Sequence, residues 1–158
     1  MVEAGEPLQL IDGDGEWAPS EQRFEAFLEQ HLNGSGLSKY TLCAVIGCQS
    51  SGKSTLLNLL FGTHFDVLDA SRGRQQTTRG VWFGASNIAT LPDGDSDPAT
   101  KLLVLDVEGT DSMSRGDERD SFERQSALLA LALAEVLVIN MWFTDIGRYT
   151  ASNIAILQ

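Results

Sequence analysis

Two cysteines in 158 residues are too few for a disulfide framework, so the fold must rest on its apolar core. Cys43 falls in an apolar stretch and Cys48 in a glycine-flanked loop, which suits a reducing, cytosolic setting. Basic residues are scarce as well: 11 against 22 acidic ones give a net charge of −11. Such a surface repels nucleic acid and anionic lipid, so neither is expected as a partner of the bare chain. The N-terminus is acidic and lacks a basic-then-apolar leader. Long apolar runs are missing too. The one extended stretch, Ala127 to Phe143, is broken by Glu135 and Asn140 and reads as a helix followed by a buried strand. No membrane anchor is expected in the chain itself. What remains is ordinary for one globular domain, with 42% hydrophobic and 21% charged residues.

Against that background one motif stands out. Gly47, Cys48, Gln49, Ser50, Ser51, Gly52, Lys53 and Ser54 form a complete G-x-x-x-x-G-K-[ST] phosphate loop. It follows the apolar run Tyr40 to Ile46 and opens an amphipathic segment from Thr55 to Phe61, the strand–loop–helix setting the motif needs. The glycines let successive backbone N–H groups surround phosphate oxygens. Lys53 would reach the outer phosphates, and the Ser54 hydroxyl would ligate magnesium. The sequence therefore predicts a chain that binds a nucleoside triphosphate.

Periodicity supplies the frame. Leu8 to Ile11 reads as a short strand ended by Asp12-Gly13-Asp14-Gly15. A helix follows Pro19 and Ser20, with Phe24, Phe27, Leu28, His31 and Leu32 on one face. Thr41 to Ile46 is a strand buried on both faces, and a helix with Leu56, Leu59 and Leu60 on one side ends at Gly62. Gly80 to Ile88 and Lys101 to Asp106 are strands, joined by a polar connection whose Asp93, Asp95 and Asp97 lack the glycine and glutamate of a calcium loop. Asp120 caps a helix from Ser121 to about Ala134, and Val136 to Met141 is a further strand. Strands alternating with helices around a phosphate loop predict a three-layer α/β sandwich.

Two more segments fit nucleotide chemistry. Asp106-Val107-Glu108-Gly109 closes a strand, where an Asp-x-x-Gly can hold a magnesium ion through water and offer the Gly109 N–H to a γ-phosphate. Thr77-Thr78 lies between this motif and the loop, where one hydroxyl can complete the metal shell and release it after hydrolysis. Arg72, Arg74 and Arg79 surround that pair, and one of them could meet charge developing in phosphoryl transfer. Thr110 follows Gly109 where Ras-like proteins carry a water-orienting glutamine, so that residue type is absent.

In this order the motifs resemble the root hair defective 3 (Sey-type) GTPases, atlastin-like members of the dynamin superfamily. The matching stretches are Leu8 to Gly15, Gln49 to Gly62, Arg72 to Trp82, Asp106 to Asp111, Phe122 to Leu128 and Ile139 to Arg148. The resemblance implies a Ras-like P-loop G domain with a mixed, mostly parallel sheet. It picks Thr78 as the switch-one threonine, Asp106 and Gly109 as the switch-two pair, and extends the nucleotide contacts to Thr55. Ser50 stands where atlastins place a catalytic arginine, so the catalytic set it suggests is Lys53 and Thr78, with Ser50, Arg72 and Arg74 as further candidates. It further implies magnesium as cofactor, GTP as substrate, G-domain homodimers, and fusion of endoplasmic reticulum tubules from the cytosolic face.

Residues 1–36 are then expected to be an N-terminal extension and 37–158 the first part of a G domain, truncated before the base-reading motif. The expected sheet order places the Val136 strand at an apolar edge. Two alternatives stay open: an inactive G-domain piece that serves as a nucleotide-dependent interaction module, and an ATP-using P-loop protein.

Overall fold

The structure, a computed structural model, describes residues 5–32, 40–67, 78–91, 100–109 and 119–146. Arg72, Arg74, Thr77, Thr110 and the aspartates 93, 95 and 97 lie outside these residues. The elements run β1 (Leu8–Ile11), α1 (Glu21–Leu32), β2 (Tyr40–Gly47), α2 (Lys53–Phe61), β3 (Val81–Leu91), β4 (Thr100–Val107), α3 (Arg119–Leu133) and β5 (Val136–Asn140). The five strands form one sheet in the order β1-β3-β4-β2-β5. β4, β2 and β5 are parallel neighbours, whereas β3 is antiparallel to both β4 and β1. Four strands thus share one direction and β3 alone runs against them, the mixed and mostly parallel sheet expected.

Alternation along the strands divides the core into two halves. Leu42, Ala44 and Ile46 of β2 and Leu103, Leu105 and Val107 of β4 face the side covered by Phe27 and Leu32 of α1 and Ala130 of α3. Cys43 and Val45 of β2 and Leu102 and Val104 of β4 face the other side, against Leu57 of α2 and Phe65. The same parity assigns Asp106, two residues beyond Val104, to the face under α2. β1 and α1 share this sheet and core, since Leu8, Leu10 and Phe27 pack with Val81 and Phe83. Asp12 makes the turn after β1, its Oδ1 accepting from the N–H groups of Asp14 (2.8 Å) and Glu16 (3.0 Å).

Three details differ from the sequence reading. The buried face of α2 is not Leu56, Leu59 and Leu60: Leu57 is 1% exposed, whereas Leu59 and Leu60 are 76% and 54% exposed. The helix begins at Lys53, and the loop chemistry turns that lysine inward. Residues one turn apart follow it, so Lys53, Leu57 and Phe61 share the inner face. α3 begins at Arg119 instead of Ser121, which places Asp120 inside its first turn and not at a cap. β3 runs on to Leu91, past the expected end at Ile88.

Among the described residues β5 pairs on one side only, with Val136 and Ile139 both partly open to solvent. An apolar strand with free N–H and C=O groups is a template for strand addition. The chain is expected to self-associate at micromolar concentration, and Ile139→Lys to shift it toward monomer. Sedimentation velocity of the two proteins at matched concentrations checks this; identical monomeric profiles would remove the edge as the cause.

Candidate nucleotide-binding site

The loop from Gly47 to Ser54 connects the C-terminal end of β2 to the start of α2. Gly47 is the one residue type tolerated where it stands, because a Cβ there would lie 1.9 Å from the carbonyl oxygen of Asn140. Ser50 is exposed at the top of the loop and adopts φ 57°, the only left-handed non-glycine among the described residues. Cys48 is buried, and its carbonyl accepts from the Ser51 hydroxyl at 2.8 Å, which tightens the loop across its middle. No side chain caps the start of α2 at Gly52. Its first amides are therefore left for an anion, which the helix dipole also favours. Thr55 sits exposed on the first turn.

Lys53 is buried, with Nζ donating to the carbonyls of Gly47 (3.1 Å) and Cys48 (2.9 Å). Burial lowers its pKa, opposed by the charges of Asp106, Cys48 and Glu108. The ammonium thus waits folded over the loop, where phosphate oxygens would compete for it.

Three oxygen-bearing side chains meet beside it. The Ser54 hydroxyl donates to Asp106 Oδ2 at 2.6 Å and lies 3.1 Å from the Thr78 hydroxyl. Asp106 is fully buried, and its carboxyl is pushed up to about 6 by that burial, with Ser54, Lys53 and Thr78 acting in the opposite direction. Its Oδ1 is buried without a hydrogen-bond partner. A solitary carboxylate oxygen in such surroundings is costly unless a cation completes it. Hydroxyls and carboxylate are the hard donors magnesium selects, so the three residues fit that ion. Thr78 and Asp106 also line a cleft with His64, Phe65, Asp66 and Trp82 that gives the group a path to solvent.

Gly109 completes the approach. A Cβ at this position would fall 2.4 Å from Gln49 Cα and 2.6 Å from Gln49 N, so Gly109 rests directly on the Gly47–Ser54 loop. The sequence-predicted residues Gly47, Cys48, Gln49, Ser50, Ser51, Gly52, Lys53, Ser54, Thr78, Asp106 and Gly109 are thus gathered at one end of the sheet.

Two residues given no role in the sequence reading belong to the same place. Glu108 is buried, accepts the Gly80 N–H at 2.6 Å through Oε2, and returns its own N–H to the Gly80 carbonyl at 2.8 Å. It thereby ties the segment after Thr78 to the Asp106–Gly109 motif. Asn140, the last residue of β5, donates its side-chain amide to Ser51. A second carboxylate two residues after Asp106 at the end of an apolar strand was the signal available for Glu108; Asn140 is found only once strand register is known.

Residues 46–158 match the GTPase domain of the root hair defective 3 GTP-binding protein. The chain belongs to the root hair defective 3 GTPase family. Members similar to it include Protein SEY1 homolog 1 of Trichomonas vaginalis, 47% identical over 95% of this chain and 17% of its own length. A SEY1 homolog of Dictyostelium discoideum is 53% identical over 75% of this chain and 13% of its own length. Protein ROOT HAIR DEFECTIVE 3 homolog 1 of Arabidopsis thaliana is 47% identical over 96% of this chain and 18% of its own length. The chain therefore spans less than a fifth of the length of these relatives, and the family match begins at the end of β2, where the phosphate loop starts. Among the described residues no helix is long and apolar enough to cross a membrane.

Proposed function

We propose that this chain binds GTP with magnesium and contributes the phosphate-binding and switch elements of a GTP-hydrolysing domain. The observation that carries the reading is the convergence of Ser54, Thr78 and the unpartnered Oδ1 of Asp106 beside the uncapped start of α2. Ser54, Thr78 and Asp106 would hold the ion, Asp106 through water. Magnesium bound there would neutralise charge on the β- and γ-phosphate oxygens. The loop amides from Ser50 to Ser54 position the polyphosphate, Lys53 moves from its carbonyls to the outer phosphates, and the Gly109 N–H takes a γ-phosphate oxygen. Water then attacks the γ-phosphorus and the GDP oxygen leaves, a displacement helped chiefly by positioning and charge stabilisation. Thr78, bonded to Ser54 by its hydroxyl, is suited to report whether the γ-phosphate is present.

Family membership supports the wider role. In the whole protein this module would drive nucleotide-dependent pairing of G domains and fusion of endoplasmic reticulum tubules at their cytosolic face, with the membrane held by segments other than those described here. The preference for guanine rests on the family alone.

Calorimetric titration of the chain with GTP and ATP, each with magnesium and with chelator, beside single-turnover phosphate release, tests the reading. The expected outcome is binding of GTP that strengthens with magnesium, and weaker binding of ATP. Equal binding of both nucleotides would favour an ATP-tolerant P-loop protein, and binding with no phosphate release would make the chain an interaction module. Binding of neither would overturn the proposal.

A further inference from the structure

We infer that Asn140 is a positioning residue that holds the phosphate loop in its binding shape from a neighbouring strand. The inference rests on the nucleotide reading above and adds to it a group that touches neither nucleotide nor metal. Asn140 ends β5 and stands in register with Gly47, the last residue of β2, so it reaches the loop where the loop begins. Its Nδ2 donates to the Ser51 carbonyl at 3.0 Å and lies 3.2 Å from the Ser51 hydroxyl. Its own backbone oxygen occupies the space that a Gly47 side chain would need. One residue thus grips the loop at its first position and again four positions later.

That grip falls where the loop is hardest to hold. Ser51 is flanked by two left-handed residues, Ser50 at φ 57° and Gly52 at φ 84°. A serine in that region is disfavoured, and such a conformation persists only when its surroundings over-determine it. The alternation turns consecutive N–H groups inward to make an anion-binding concavity. Asn140 fixes the carbonyl between the two reversals, and the Ser51 hydroxyl passes the constraint to the Cys48 carbonyl at 2.8 Å. Freed from Asn140, Ser51 can rotate, and the N–H groups that face phosphate scatter.

The test is binding of a fluorescent GDP by the chain, wild type against Asn140→Ala and Asn140→Asp, with magnesium and with EDTA. Asn140→Asp keeps the shape but replaces the donor with an acceptor facing the Ser51 oxygens. Both variants are expected to bind at least about tenfold more weakly, as two hydrogen bonds to a part-buried carbonyl and hydroxyl allow. The loss should be the same in EDTA, because Asn140 holds Ser51, in the phosphate-facing part of the loop, and not the Ser54 hydroxyl that would meet the ion. The unfolding midpoint without nucleotide should stay within about 3 °C of wild type. Affinity within about twofold of wild type in either variant, a loss seen only with magnesium, or failure of both variants to fold would overturn the inference. Absence of binding by the wild type would instead overturn the nucleotide reading, and this one with it.

Discussion

Asp106→Asn is expected to stabilise the nucleotide-free chain at pH 7.5 while abolishing its response to magnesium. The carboxyl is raised from 3.8 to about 6, first by burial, with the Ser54 hydroxyl, Lys53 and Thr78 opposing. A group whose folded pKa is raised adds its full stability below the unfolded value and loses it as pH climbs through the folded one. The contribution is therefore complete below pH 3.8 and gone above about pH 6. The ionised form then carries a penalty of roughly 3 kcal/mol at neutral pH. Asparagine can still accept from Ser54 but cannot ionise. Thermal unfolding should show a gain of several degrees at pH 7.5 and little or none at pH 4. The same variant should bind nucleotide equally with magnesium and with EDTA. A wild-type chain as stable as the variant at pH 7.5, or a variant still strengthened by magnesium, would contradict the metal assignment.

Lys53→Ala should reduce GTP affinity by roughly 10²–10³-fold, the range set by one ammonium about 4 Å from a phosphate at intermediate dielectric. In the free chain Lys53 donates only to the Gly47 and Cys48 carbonyls, which water can replace. Removing it also removes the positive charge that offsets buried Asp106 and Glu108, so unfolding without nucleotide should come at a lower temperature. Titration calorimetry beside a thermal melt separates the two effects. Single-turnover phosphate release should vanish in the variant. Affinity within about threefold of wild type would mean that the loop does not hold phosphate in the way proposed.

The parts of the site legible in the sequence are those dictated by backbone geometry over short spans. Gly47, Gly52, Lys53 and Ser54 must recur at fixed spacing because the loop has one shape, and the structure holds them in it. The Ras-like resemblance also put the Val136 strand at an edge of the sheet, and β5 lies there among the described residues. Thr78 was singled out from a pair by resemblance, and its hydroxyl does lie against Ser54. What escaped needed three dimensions. The inner face of α2 was misjudged because leucines suggested it, whereas the inward-turned lysine sets it. Glu108 and Asn140 act across 28 and 89 residues of chain, on partners that only register brings near. No local pattern encodes such contacts. The N-terminal strand gave no sign that it would extend the same sheet, since four residues fix neither partner nor direction.

That outermost strand also has a mechanical meaning. Arg79, next to Thr78, has its carbonyl clasped by the side chains of Gln9 at 3.0 Å and Trp82 at 2.8 Å. Gly80 is wedged so tightly that a methyl there would sit 2.0 Å from the Ile11 oxygen. Under the switch role proposed for Thr78, a displacement of that residue on loss of the terminal phosphate would be passed through Arg79 and Gly80 to Gln9 and Ile11, at the edge of the sheet opposite β5.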